Sequence, residues 1–369
     1  DASLAMTLIA RNGTRRASIR RLARSSIEGG PDVAKSRFMV LFAGDTLSDW
    51  REYVQEADEC GFWGLGIGDS QSIYLDVYVR STIAAMTTRN VHFGPWVTNP
   101  LTRHPAVTAG AIASVDQVSG GRAFLGVGTG DSATANINLH PASLVYLEQY
   151  VLAVKELLAQ GEAQWMGQTS KLAFPHRAVP VYVAASGLKT IRLAGRIADG
   201  VVIGMGILPD IVRDGLAELK AGAQEAGRNV GDIDVWWAVM ANLAEDNQTA
   251  LNEIKNSLVT RANQAFRFTT AGKHLPPQYE PAIKRIHAEY NALEHAKFGP
   301  SHHADLCDEL GLTPYLAKRF SVCGSPEGFI RRVAEARAAG AEQISFHVRV
   351  ADKRRFLRLW RQNVRPNII

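Results

Sequence analysis

Eight short runs rich in β-branched, aromatic or glycine residues, separated by amphipathic stretches of about ten residues or more, constrain the fold of this chain more than any other feature. The runs are Phe38–Phe42, Gly64–Gly68, Val91–Val97, Ala123–Val127, Val181–Ala184, Gly200–Ile203, Val235–Met240 and Gln343–Val348. Strands so separated cannot pair as tight hairpins; they pair in parallel, with each helix as the crossover. Helical patterns at 47–60, 74–88, 105–118, 141–160, 188–197, 209–226, 325–339 and 352–363 fill the intervals. Ser325-Pro326-Glu327 opens one of them with a capping residue, a first-turn proline and an acid, while Gly61, Gly161 and Gly340 close others. Eight strand–helix units predict an α/β fold, a (β/α)8 TIM barrel rather than an open doubly wound sheet.

Two stretches exceed that template. Residues 162–180, with Trp165 and Phe174, predict a hairpin excursion. Residues 242–324 form a helix-rich insertion before the last helix–strand unit, broken at Pro276-Pro277, Pro281, Pro300 and Pro314. A long connection after a barrel strand borders the active site, so the insertion is expected to act as lid or substrate wall.

Charge narrows the function classes. The net +5 comes from residues 1–37, which hold eight Lys or Arg against Asp1, Glu28 and Asp32; the remaining residues carry 33 of each sign. The body therefore lacks the electrostatic footprint of a nucleic-acid or membrane binder. Residues 1–36 form a basic leader, read as a targeting segment, a cloning scar or a flexible arm, ahead of a single barrel over 37–369. No apolar run reaches membrane-spanning length. Cys60, Cys307 and Cys323 are widely spaced and odd in number, which suggests neither disulfides nor zinc and fits a cytoplasmic protein.

Candidate chemistry sits at strand ends. Gly64-Leu65-Gly66-Ile67-Gly68-Asp69 and Gly126-Val127-Gly128-Thr129-Gly130-Asp131 share a pattern of alternate glycines and a terminal acid. Such glycines either clear one face for a flat ligand or relieve crowding inside the barrel, and the acid either acts chemically or caps the next segment. Gly94-Pro95-Trp96-Val97-Thr98-Asn99-Pro100 restrains the backbone at the third strand's end. Val183-Ala184-Ala185-Ser186-Gly187 runs into a helix with small residues and leaves amide donors bare for a phosphate, or else uses Ser186 as a simple cap.

The histidines divide by context. His302-His303 with Asp305 and Cys307 lacks metal-ligand spacing and reads as a solvated turn; His104, before Pro105, reads as a cap; His347, on the last strand, faces either the barrel mouth or the core. Trp236-Trp237, Phe266, Phe268, Tyr279 and Phe346 suggest a partly apolar pocket. A dinucleotide fingerprint fails because Asp131 stands where glycine is required, and no nucleophile elbow, Walker loop or zinc-protease motif occurs.

The segments Thr98-Asn99-Pro100-Leu101-Thr102-Arg103-His104-Pro105, Ser119-Gly120-Gly121-Arg122 and Gly126-Val127-Gly128-Thr129-Gly130-Asp131-Ser132 resemble the luciferase-like flavin oxidoreductases. They are most similar to the deazaflavin branch that includes methylenetetrahydromethanopterin reductase. Val183–Gly187, Ala194–Gly200, Gly324-Ser325-Pro326 and Ala339-Gly340-Ala341 continue the match in order, over roughly residues 37–350.

The resemblance implies a barrel whose mouth holds coenzyme F420 or FMN. It places Asp69 and Ser70 at the ring's polar edge, a Pro95-Trp96 bulge, often cis in the family, behind the ring, and Thr98 bonded to it. Asp131 and Ser132 line the reacting side, and the amides of Ala185, Ser186 and Gly187 take the phosphate. Ser70 and Asp131 stand where deazaflavin dehydrogenases carry histidine and glutamate, so alcohol oxidation through that histidine is not implied. The expected activity is hydride transfer between reduced cofactor and a small organic substrate, with Asp69 and Asp131 as the catalytic acids, Asp131 as proton donor, and no metal. The alternatives are an FMN-dependent, oxygen-using monooxygenase and a non-catalytic flavin-binding protein. A homodimer is implied as well.

Overall fold

A computed structural model describes residues 37–42, 46–291, 294 and 297–369. The leader 1–36 lies outside the described residues.

All eight predicted strands form: β1 (Phe38–Phe42), β2 (Gly64–Ile67), β3 (His92–Pro95), β4 (Leu125–Val127), then, after a hairpin of β5 (Glu162–Trp165) and β6 (Gln168–Lys171), β7 (Val181–Ala185), β8 (Gly200–Ile203), β9 (Asp234–Leu243) and, after a short β10 (Ser321–Gly324), β11 (Ile344–Val348). The order is β3-β2-β1-β11-β9-β8-β7-β4, all parallel. β3 and β4 meet through the bridges Phe93–Ala123 and Thr98–Val127, which close the sheet into a TIM barrel.

The enclosing helices are α1 (Leu47–Glu59), α2 (Val77–Thr87), α3 (Pro105–Ser119), the short α4 (Ser132–Ala135), α5 (Leu144–Gln160), α6 (Leu188–Ile197) and α7 (Pro209–Glu225). The insertion adds α8 (Asn247–Phe266), α9 (Glu280–Glu289), α10 (His302–Glu309) and α11 (Thr313–Phe320), and the barrel resumes with α12 (Pro326–Ala338) and α13 (Lys353–Leu359). Ser325 caps α12 as expected, its Oγ accepting from the Gly328 amide at 3.3 Å, and Gly161 ends α5 at φ 78°.

The insertion does one thing the sequence did not announce. It returns as β10 alongside the outer half of β9, with Ser321 opposite Met240 and Gly324 opposite Leu243. β9 is long enough, at ten residues, to pair β11 with its first half and β10 with its second.

Side-chain alternation fills the barrel from the N-terminal end upward. Trp63, Phe124, Tyr182 and Trp236 plug the bottom, and the Arg37 guanidinium lies over the Trp63 ring at 4.6 Å. Asp234 gathers the Tyr182 hydroxyl at 2.9 Å, the Trp236 indole N–H at 3.0 Å and the Gln343 amide at 2.6 Å. Met39, Trp96, Val202 and Ala238 continue this interior cluster, with Trp96 Nε1 donating to Ser345 Oγ at 3.1 Å. With that end closed by packed side chains, the C-terminal face is the candidate location of a site.

Candidate active site

The glycine pattern makes room for packed side chains along both strands. A Cβ on Gly66 would lie 2.9 Å from Trp96 Cβ, and one on Gly126 would lie 2.6 Å from Val97 Cγ1, so these two glycines relieve crowding. Gly68 and Gly128, one layer higher, also face side chains: a Cβ would lie 3.4 Å from Tyr74 Cε2 and 3.1 Å from Val97 Cγ2, so Val97 packs against both Gly126 within β4 and Gly128 at its end. The one non-proline cis peptide among the described residues joins Trp96 to Val97, one residue later than the Pro95-Trp96 bulge expected from the resemblance. Trp96 points into the interior cluster.

Asp69 ends β2 with its side chain 3% exposed, accepting from Thr98 Oγ1 at 2.7 Å and from Arg103 Nη1 at 2.5 Å. The loop that carries it is pinned by Arg80, wholly buried, whose guanidinium donates to the carbonyls of Gly68 and Leu75. Ser70 and Ser132 meet hydroxyl to hydroxyl at 2.5 Å, tying the ends of β2 and β4 together. Asp69 with Thr98 and Ser70 with Ser132 thus form two hydrogen-bonded pairs linking the ends of β2, β3 and β4.

Asp131 is placed differently from a buried, isolated acid. Its side chain is 35% exposed, one oxygen accepts from Arg267 Nη1 at 2.6 Å, and the other accepts from the Gln264 amide. Both donors come from the end of α8, so Asp131 joins the barrel to its insertion. α8 is itself fixed by Asp246, whose carboxylate accepts from the amides of Gln248 and Thr249, and by Asn242 donating to the Ala250 carbonyl at 3.1 Å.

Across the mouth, Ala185, Ser186 and Gly187 lead into α6, a ten-residue helix with no side-chain cap. Nothing lies within 4 Å of where a Cβ of Gly187 would project. A helix terminus without a side-chain cap, at the positive end of the helix dipole and with open space in front, fits a phosphate. The residues present therefore suit a phosphate-bearing ring cofactor: an uncapped helix terminus after β7 and a hydrogen-bonded polar edge at Asp69 and Thr98.

Other expectations change. Phe346 stacks on Phe38 outside the barrel, Trp236 belongs to the bottom plug and Trp237 to the outer core, so none lines a pocket. Phe266 is buried in the outer core while Phe268 is exposed. His302 and His303 begin a helix, not a solvated turn; His303 is fully buried, stacked on Tyr290 and accepting from the Asn291 amide at 3.0 Å. No metal-holding group of side chains exists among the described residues. His104 caps α3, as expected, through the Ala106 amide at 3.2 Å.

Sequence reasoning assigned no role to Arg103, Arg261, Gln264, Arg267 or Arg349. A signal existed for Arg261, which interrupts the buried face of α8 between Leu258, Val259, Ala262 and Ala265.

The fold is that of a (β/α)8 protein with its candidate site on the C-terminal face of the barrel. The chain belongs to the luciferase-like monooxygenase family, whose model matches residues 24–343, a span that begins inside the stretch read as a leader. It is 30% identical over 301 residues to the 5,10-methylenetetrahydromethanopterin reductase of Methanolobus tindarius, covering 79% of this chain and 87% of that one. It is 28% identical over 298 residues to the F420-dependent glucose-6-phosphate dehydrogenase of Nakamurella multipartita, covering 76% and 78%. The fold superposes on the coenzyme F420-dependent tetrahydromethanopterin reductase of Methanopyrus kandleri with a TM-score of 0.71 at 23% identity, over 91% of this chain and all of that one.

Proposed function

We propose that this protein is an oxidoreductase that binds F420 and transfers a hydride between the reduced cofactor and a small organic substrate. The observation that carries this reading is the uncapped α6 terminus, with open space before Gly187, in a chain whose relatives include F420-dependent enzymes. A bound reduced deazaflavin supplies the hydride; the protein's part is to orient and to exclude water. The amides of Ala185, Ser186 and Gly187 hold the phosphate. Asp69, fixed by Arg103, orients Thr98, and Ser132 orients Ser70, against the ring's polar edge, while Pro95 and Trp96 support its back. Ser132 and Asp131 face the reacting side; Asp131, held as an acceptor by Gln264 and Arg267, takes up a proton from water on release from those partners and passes it to substrate. FMN-dependent monooxygenation is the second reading, favoured by the family's own description.

Titration of the purified chain with F420 and with FMN, followed by tryptophan fluorescence, decides between them. Tighter F420 binding is the expected result; tighter FMN binding moves the reading to oxygen chemistry, and binding of neither removes it. Asp131→Asn is expected to keep cofactor affinity and to slow turnover about 10²- to 10⁴-fold, the usual loss for a general acid. Unchanged turnover would leave Asp131 as an anchor for the insertion only.

The proposal extends to assembly. Val107, Ala111, Ser114 and Val118 form one stripe on α3 beside Val79 and Met86 of α2; Val107, Val118, Val79 and Met86 are 58%, 53%, 48% and 76% exposed. A second copy of the chain covers such a face in a homodimer. Light scattering is expected to give twice the chain mass for the native protein and the single mass for Val118→Glu. A monomeric native protein ends this reading. The unpaired thiols Cys60, Cys307 and Cys323 support a cytoplasmic location, and no described helix is long and apolar enough to cross a membrane.

A further inference from the structure

Arg261 extends from α8 to the C-terminal end of β11, where its Nη2 meets Nδ1 of His347 at 3.2 Å. A guanidinium only donates, so Nδ1 is the acceptor and the imidazole proton resides on Nε2. That Nε2–H is buried and without an acceptor, and so is Nε of Arg261. Arg349, on the turn leaving β11, is 7% exposed, as Arg261 is, and donates to the Tyr74 hydroxyl at 2.9 Å.

Charge around this group does not balance. Neither Arg261 nor Arg349 pairs with an acid among the described residues. The acid that acts on Arg261, Asp131, has both oxygens occupied by Arg267 and Gln264. Burial, with the two guanidinium charges of Arg261 and Arg349, holds the His347 imidazole well below its ordinary range, so it is neutral in physiological buffers and serves as a donor. Two neighbouring guanidiniums taken out of water without a counter-charge are costly, and the unpartnered Nε–H of Arg261 and Nε2–H of His347 add to the cost. An anion in contact with them removes both penalties.

We propose that Arg261, His347 and Arg349 form a subsite for an anionic oxygen group, a carboxylate or a phosphate, which accepts from Arg261 Nε–H and His347 Nε2–H. This deepens the hydride-transfer reading by giving the ligand at the insertion side of the mouth its charge. The anion has two possible sources. A Cβ on Gly204 would lie 3.0 Å from Arg261 Nη1 and 3.5 Å from Ser186 Oγ, so the guanidinium borders the cradle for the cofactor phosphate as well as the substrate side.

The test uses the full chain without cofactor, labelled with ¹⁵N-histidine, with the His347 signals assigned by their loss in His347→Gln. The expected spectrum shows a neutral imidazole protonated on Nε2 between about pH 6 and 8. Millimolar acetate or inorganic phosphate shifts those signals, and acetamide, which has the shape of acetate without its charge, does not. Arg261→Gln and Arg349→Gln each weaken anion binding by about tenfold or more, as loss of one charged donor requires. His347 signals that stay still with both anions, that move equally with acetamide, or that respond unchanged in both variants overturn the proposal.

Riboflavin and FMN separate the sources. An Arg261→Gln variant that weakens FMN but not riboflavin assigns the subsite to the cofactor phosphate. A variant that loses acetate while binding both as the native chain does assigns it to the substrate. A native chain that binds no cofactor removes the hydride-transfer reading, and the acetate titration still decides this one.

Discussion

Gly94→Ala is expected to abolish the cooperatively folded barrel, with a loss of more than about 4 kcal/mol in urea titration. A Cβ at residue 94 would overlap the carbonyl oxygen of Phe124, and that oxygen belongs to the backbone of β4, not to a side chain that can rotate away. Relief requires β3 and β4 to part where the sheet closes. The bonds at stake are Phe93 N–H to the Arg122 carbonyl at 3.1 Å and Phe124 N–H to the Phe93 carbonyl at 3.0 Å. Gly110→Ala is the control: it lies within α3, its nearest neighbour would be Leu172 Cδ2 at 3.8 Å, and it should be stabilised by about 0.5–1 kcal/mol through helix propensity. Equal unfolding midpoints for Gly94→Ala and the native chain would show that the closure yields.

Asp69→Ala is the second large effect. It leaves the Arg103 guanidinium, 17% exposed, with only the half-exposed Asp76 at 3.3 Å, and frees Thr98 from its partner. Breaking one side of a largely buried pair costs about 3 kcal/mol. Cofactor affinity should fall with it, since Thr98 loses the bond that orients it. In a cycle with Arg103→Met, the double variant should be more stable than the sum of the singles predicts; strict additivity would mean that the pair is not coupled.

The strands and their helices were legible because both periods were clean and the caps unambiguous: Ser325 and Gly161 act as their chemistry requires. β10 was not, because Ser-Val-Cys-Gly is too short to show a period and its pairing depends on how far β9 extends. Phe346 and Trp237 face outward because neighbouring strand residues point to opposite sides, and composition alone does not say which parity faces the mouth. The strand-end motifs named Asp69 and Asp131 but not their partners. Arg103 stands 34 residues from Asp69 and Arg267 136 from Asp131, separations that only the closed barrel brings together. The same holds for Gly66 and Gly126, whose purpose became visible only once Trp96 and Val97 occupied the space they leave.

The α8 wall has a consequence for how such an enzyme diversifies. The residues proposed for the cofactor ring and the α6 phosphate cradle all precede residue 190, whereas Arg261, Gln264 and Arg267 arrive on one contiguous segment spliced between a strand and its helix. Heredity can therefore exchange or recombine that cassette and alter what the enzyme accepts while the bed for its reductant is inherited intact. Asp131 is the joint at which a transplanted segment must be rematched, so grafts that carry residues 264 and 267 together are the ones that should take.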